Sequence, residues 1–181
     1  AKNWKEQGTL TKGGIVATVM SNLGLERFLK SLSLKLERTN VGDRYVVEML
    51  RKKGWQLGGE NSGHILVLDR HTTGDGIIAA LQVLAALREA DADLCTVLGD
   101  LHLYPQTLIN VPLVKGFRWQ NNTAIQEGLV AVESRMAGRG RVLLRASGTE
   151  PLLRVMVEGE DAQEVDEAAA QLAQVIREVA H

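Results

Sequence analysis

The chain has 181 residues, 45% of them hydrophobic, 24% charged and only 4% aromatic, with a formal net charge of -1. That length and apolar fraction support one large domain or two small ones with cores of Leu, Val, Ile and Ala, and they exclude wholesale disorder. The near-neutral balance lacks the basic excess of a general nucleic-acid binder, so an anionic ligand has to be met by a local cluster of positive charge.

The chain begins Ala1-Lys2-Asn3-Trp4, with no initiator Met and no helix start signal, and reads as entering in mid-element, as a fragment does. Residues 15–20 are expected to form a buried strand. Leu25, Phe28, Leu29 and Leu32 repeat at helical spacing, and 34–38 suits a short strand. Asp43 is placed to cap a helix carrying Val46, Val47 and Leu50 that stops at Gly54. Leu57 starts a strand entering the loop Gly58 to Gly63, and His64 to Asp69 reads as a strand covered on both faces. Thr73-Gly74-Asp75 opens a long helix whose apolar stripe is Ile77, Ile78, Leu81, Leu84 and Leu87. Strands alternating with helices imply a layered α/β domain with a mixed sheet over 1–100.

The stretch 95–106, containing Pro105, is the expected junction. A smaller α+β domain over 104–181 then reads β-α-β-β-α. Thr107 to Val114 alternates, and Pro112 suggests an edge position. Thr123 and Gln126 have capping-box spacing before a helix bearing Ile125, Leu129, Val132 and Met136. Arg141–Arg145 and Leu152–Glu158 are strands joined by a tight loop. Asp161 and Glu164 repeat the capping pattern before a helix with Val165, Ala168, Ala169, Leu172, Val175, Ile176 and Val179 on one stripe.

Two segments can carry chemistry. Arg145-Ala146-Ser147-Gly148-Thr149-Glu150-Pro151, with Arg154 on the next strand, offers two hydroxyls, a glycine that exposes backbone N–H groups, and two guanidiniums. These are the donors a phosphate dianion needs. Arg139 and Arg141 add to the local basicity. A polar turn with solvated arginines accounts for the same residues. Gly58-Gly59-Glu60-Asn61-Ser62-Gly63-His64 places a carboxylate, an amide, a hydroxyl and an imidazole among three glycines. Glu60 can bridge two sugar hydroxyls or bind an ammonium, Ser62 can donate or accept, and His64 can help move a proton near neutral pH. A plain hairpin turn is the alternative.

The other segments say less. Thr72-Thr73-Gly74-Asp75-Gly76 reads as a capped helix start; it lacks the third glycine of the dinucleotide fingerprint, and Asp75 would repel a phosphate. Val41-Gly42-Asp43-Arg44 is either another cap or a ligand-facing loop. Asp91-Ala92-Asp93 and the group His64, Asp69 and His71 lack metal-ligand spacing, so no metal ligand is expected in the chain. Neither Ser62 nor Ser147 is marked as an activated nucleophile. Cys95 is the sole cysteine, which excludes an intrachain disulfide and a thiolate-rich zinc site. No apolar run approaches the length of a membrane span, and no leader-like segment opens the chain. No membrane or nucleic-acid partner is therefore expected, and the expected setting is a reducing cytoplasm.

In this order and at these separations the segments resemble the C-terminal half of the α-D-phosphohexomutase superfamily. The resemblance runs from Gly13-Gly14-Ile15-Val16-Ala17-Thr18-Val19-Met20-Ser21-Asn22-Leu23-Gly24 to the final helix. It is most specific at Gly59-Glu60-Asn61-Ser62-Gly63-His64, Thr72-Thr73-Gly74-Asp75-Gly76 and Arg145-Ala146-Ser147-Gly148-Thr149-Glu150-Pro151-Leu152-Leu153-Arg154. Asn61 in the second segment, and Asp43-Arg44 after Val41-Gly42, resemble the phosphoglucosamine mutase branch rather than the glucose/mannose branch.

The resemblance implies a third, sugar-reading domain at 1–100 and a fourth, phosphate-gripping domain at 104–181, the latter like a single TATA-binding-protein repeat. It implies sugar contacts from Glu60, Asn61, Ser62 and His64, a facing wall of Gly42, Asp43 and Arg44, and phosphate contacts from Arg145, Ser147, Gly148, Thr149 and Arg154. It further implies a hexosamine phosphate substrate, and a whole protein with two preceding domains that supply a phosphoserine and a magnesium loop. That protein would need magnesium and a hexose bisphosphate activator, and a homodimer is compatible with it. The serine segment and the magnesium loop do not occur in this sequence, so the chain by itself is expected to recognise ligand weakly and to be catalytically silent. A stand-alone module that binds sugar phosphate or small anions is the competing reading, as is a phosphoglucomutase or phosphomannomutase half.

Overall fold

The computed structural model describes residues 1–10 and 13–180. The chain divides into two compact units, Ala1–His102 and Leu103 onward.

In the first unit the elements run α1 (Lys2–Glu6), β1 (Gly14–Thr18), α2 (Leu23–Ser31), β2 (Lys35–Thr39), α3 (Asp43–Lys53), β3 (Leu57–Gly59), β4 (Ile65–Val67), α4 (Gly76–Ala90) and α5 (Leu94–Leu98). The strands form one mixed sheet of order β2-β1-β3-β4. β1 is parallel to both β2 and β3, and β4 returns antiparallel to β3. β1 is buried along its whole length, and its alternation serves both faces. Val16 packs with Val46, Leu50 and Leu66 on the α3 side, while Ile15 packs with Leu29 and Leu34 on the α2 side. This is the three-layer arrangement expected of a central parallel strand.

The second unit contains β5 (Gln106–Pro112), a 3-10 turn at Trp119–Asn121, α6 (Thr123–Met136), β6 (Gly140–Ala146), β7 (Leu152–Gly159) and α7 (Ala162–Val179). Its antiparallel sheet has the order β5-β7-β6. Leu153, Val155 and Val157 alternate toward α6 and α7, meeting Ile125, Val132, Met136, Val165, Ala168, Ala169, Leu172 and Ile176 in one core. β5, with Pro112 as its last residue, is an edge strand, where a missing N–H is tolerated.

Several local expectations are corrected. The helical start at Lys2 had no signal because Ala1 offers no capping side chain. α5 overlaps the start of the stretch 95–106 expected as the junction; Asp93 accepts a hydrogen bond from the Thr96 N–H at 2.7 Å and caps it. β4 covers only three of the six residues expected, because the chain turns at once and the N–H groups of Arg70 and His71 both reach the Val67 carbonyl. Asp43 does not cap α3. Gly42 holds that position, and Asp43 is the first helical residue. Likewise Asn122 caps α6 by accepting from the Ile125 N–H, and Thr123 is its first residue.

The largest difference is the facing of α4. Ile77, Leu81 and Leu84 are 75%, 57% and 60% exposed. The side with Ala79, Val83, Ala86 and, of the expected stripe, Leu87 lines a cavity of about 280 Å³ with Leu57, Ile65 and Val67. The helix is apolar nearly all round, so periodicity does not choose a face, and its small alanines permit closer approach to the sheet.

Candidate functional site

The first site is the hairpin between β3 and β4. Its backbone closes through Glu60 N–H to His64 carbonyl and Gly63 N–H to Glu60 carbonyl, both at 3.1 Å, with Gly63 at φ 94. A side chain is strained there, so glycine sets the turn. The closure brings three groups together. Ser62 Oγ donates to Glu60 Oε1 at 2.7 Å, and His64 Nδ1 lies 2.8 Å from Ser62 Oγ and 3.1 Å from Glu60 Oε1. A carboxylate only accepts, so the network assigns the proton of neutral His64 to Nδ1 and leaves Nε2 as an acceptor.

Glu60 Oε2 accepts from the Gly42 N–H at 3.1 Å. Gly42 sits at φ 125, a conformation a side chain rarely adopts. The Ser62 hydroxyl foremost, with His64 and the Gly42 N–H, holds the Glu60 carboxyl below the ordinary carboxylate range. Glu60 is therefore more engaged than its sequence suggested. Its side chain is only 9% exposed, and three of its roughly four lone-pair directions are occupied. Without rearrangement it offers one direction to a ligand rather than a bridge across two hydroxyls. Ser62 and His64 are the exposed members.

The remaining residues of this group divide. The Asn61 side chain reaches back to the turn that follows β1, its Nδ2 donating to the Met20 carbonyl at 3.0 Å. Arg44 pairs with Glu48 at 2.8 Å along α3, and the Asp43 carboxylate accepts from the Arg44 N–H. Of the Gly42-Asp43-Arg44 segment, the hydrogen bond to the hairpin comes from Gly42. The segment Thr72 to Gly76 does two jobs. Asp75 caps α4 by accepting from the Ile77 and Ile78 N–H groups at 2.9 Å, which fills that helix start with a carboxylate. Gly74 backs the His64 side chain, and a Cβ there would come within 3.3 Å of the His64 Cβ and 3.4 Å of its ring.

The second site is the β6–β7 hairpin. Arg145 and Arg154 are directly opposed in the ladder, so their side chains leave the same face of the sheet. Both are partly buried, and the Nε of each is buried without a hydrogen-bond partner. Opposed like charges with desolvated donors destabilise a strand pair unless an anion sits between them. The neighbouring arginines are spent elsewhere. Arg139 pairs with Glu164 at 2.7 Å, and Arg141 with the fully buried Glu158 at 2.7 Å. The expected four-arginine basicity thus narrows to two.

In the bend, Ser147 Oγ accepts from the Thr149 and Glu150 N–H groups at 3.4 and 3.3 Å, long contacts. Its own hydrogen remains available to donate. The register places Asn110 of β5 beside Arg154 on this face, a neighbour that sequence spacing does not reveal.

No group of three His, Cys, Asp or Glu side chains suited to a metal occurs among the described residues. Asp93, the nearest to an alternating acid pattern, is committed to capping α5. The described residues do not fit a magnesium site.

Residues 1–104 match the family described as phosphoglucomutase/phosphomannomutase, alpha/beta/alpha domain III, and residues 108–175 match its C-terminal domain. The phosphoglucosamine mutase of Dechloromonas aromatica is 65% identical over 92% of the chain, which spans 37% of that relative's length. Two structures of Aspergillus fumigatus N-acetylphosphoglucosamine mutase share the fold over 99% of the chain. One aligns at TM-score 0.82 and 21% identity over 41% of its own length. The other, a complex with GlcNAc-6P and magnesium, aligns at 0.75 and 20% over 42%.

Proposed function

Because the chain belongs to the phosphoglucomutase/phosphomannomutase family, we propose that it supplies the sugar and phosphate recognition of a phosphoglucosamine mutase, an isomerase that interconverts glucosamine 6-phosphate and glucosamine 1-phosphate. The single observation that carries this reading is the unpaired, directly opposed Arg145 and Arg154 beside a hydroxyl-lined bend. A phosphate dianion at that point converts repulsion into two charge-assisted contacts. Identity to a bacterial phosphoglucosamine mutase favours the amino-sugar branch over glucose or mannose.

In the whole enzyme a serine phosphate, outside this sequence, gives its phosphoryl group to the sugar monophosphate. The resulting bisphosphate turns over and returns its other phosphoryl group to the serine. At each step Arg145, Arg154, Ser147, Thr149 and the Gly148 N–H grip the phosphate that is not reacting. Glu60 accepts from a sugar hydroxyl or the ammonium through its open lone pair, and Ser62 orients a second hydroxyl. His64 Nε2 accepts a proton from the attacking hydroxyl or holds that hydroxyl in place, its tautomer fixed by Glu60. In the whole protein the preceding domains would hold magnesium, which would spread the charge of the migrating phosphoryl group. The setting is cytoplasmic, and no helix among the described residues is long and apolar enough to cross a membrane.

The test is a titration of the 181-residue chain, followed by amide shifts. Inorganic phosphate is expected to move residues 145–154 alone. Glucosamine 6-phosphate is expected to move both that group and 58–64, and the chain is expected to show no mutase turnover. The absence of any shift at millimolar ligand refutes the reading.

A further inference from the structure

We infer that Asn61 is a positioning residue. Its carboxamide fastens the Glu60–His64 loop to the chain leaving β1, and so sets the Glu60 carboxylate against Gly42 and His64. The inference rests on reading that loop as the sugar-facing element, and it gives Asn61 a different role from the direct sugar contact expected of it.

Three observations carry it. First, the Asn61 backbone lies in an exposed turn, yet its Nδ2 crosses to the Met20 carbonyl at 3.0 Å, 41 positions away in sequence. Its Oδ1 lies at the hydrogen-bond limit from Ser21 Oγ, 3.5 Å. Second, the anchor is firm. Ser21 is 3% exposed, its N–H donates to the Thr18 carbonyl at 3.0 Å, and its carbonyl accepts from Arg38 Nη2 at 3.3 Å. Third, the other side-chain contacts of the loop are internal or reach a second loop. Ser62 and His64 bind Glu60, and Glu60 binds Gly42. Internal bonds hold the loop's shape, whereas the Asn61 bond ties that shape to the turn that follows β1. Removing it frees the loop to drift and lengthens the Glu60–Gly42 contact, although neither residue is altered.

The experiment compares the 181-residue chain with Asn61→Ala and Asn61→Asp. The second keeps the size and an oxygen but replaces the N–H donor by a negative charge, so the neutral Asn61→Ala reads the lost anchor alone, and the exposed position lets both variants fold. In the free chain both are expected to lower exchange protection of the Gly42 amide by about fivefold. Both are also expected to shift the His64 ring ¹⁵N resonances away from a fixed Nδ1–H tautomer. Glucosamine 6-phosphate affinity falls by about three- to tenfold, while inorganic phosphate affinity at 145–154 is unchanged. Unaltered Gly42 and His64 signals in both variants overturn the inference. So does a loss of sugar-phosphate affinity with those signals intact, since Asn61 then touches the ligand itself. If the unmodified chain ignores glucosamine 6-phosphate, the sugar reading fails by itself, and the Gly42 and His64 signals still decide the anchor.

Discussion

Arg154→Met tests whether the arginine pair is built for a ligand or for the fold. The two guanidiniums leave one face of the ladder from directly opposed positions, and neither Nε has a partner. Opposed like charges cost about 0.2–1 kcal/mol, and an unsatisfied buried donor costs about 1–3 kcal/mol. Methionine keeps most of the stem's packing, removes the charge repulsion and removes one of the two unsatisfied donors, that of Arg154. The free variant is therefore expected to be as stable as the parent or more stable, by up to about 1 kcal/mol after lost stem contacts are set against the gain. For a chain of this length that is a rise of about 2–4 °C in melting temperature. With phosphate present the order inverts. Losing a charge-assisted contact of about 1.5–3 kcal/mol weakens phosphate roughly 10- to 150-fold. The stabilisation that millimolar phosphate gives the parent then largely disappears. Calorimetric scans with and without phosphate read both effects. A variant that melts several degrees lower without ligand, or one that keeps the phosphate-induced shift, refutes the reasoning.

Three further outcomes are expected. The Glu60 carboxyl is depressed chiefly by the Ser62 hydroxyl, with His64 and Gly42 adding to it. Its contribution to stability is thus complete above the ordinary carboxylate value of about 4.3 and is lost as pH falls through the lower folded value; Glu60→Gln should abolish that acid-side change in thermal scans. Arg141→Leu leaves the fully buried Glu158 without its guanidinium and should cost about 3–5 kcal/mol in denaturant titration, much of it recovered by adding Glu158→Leu. Leu81→Lys, on the outward face of α4, should change stability by less than about 0.5 kcal/mol, whereas Leu50→Ala in the α3 core should cost about 2–5 kcal/mol.

The sequence by itself determined the types of the principal elements, though not α1 or α5, the two-part organisation of the fold and the identity of the chemical groups. It did so because those features live in local patterns: alternation in β7, the 3.6-residue stripe of α7, glycines bracketing Glu60, arginines bracketing Ser147. Facing and pairing were decided only by tertiary structure. Periodicity does not orient α4, whose apolar residues surround the helix, so only the fold set Ala79 and Ala86 on the side facing the sheet and Leu81 outward. Strand register opposed Arg145 to Arg154, while Arg139 and Arg141 went to Glu164 and Glu158. Chain crossing placed the Gly42 N–H on Glu60, Gly74 behind His64 and the Met20 carbonyl within reach of Asn61. Each of these contacts joins groups far apart along the chain. A hydrogen bond depends on angstroms between atoms rather than positions between residues, and only the folded backbone sets that distance.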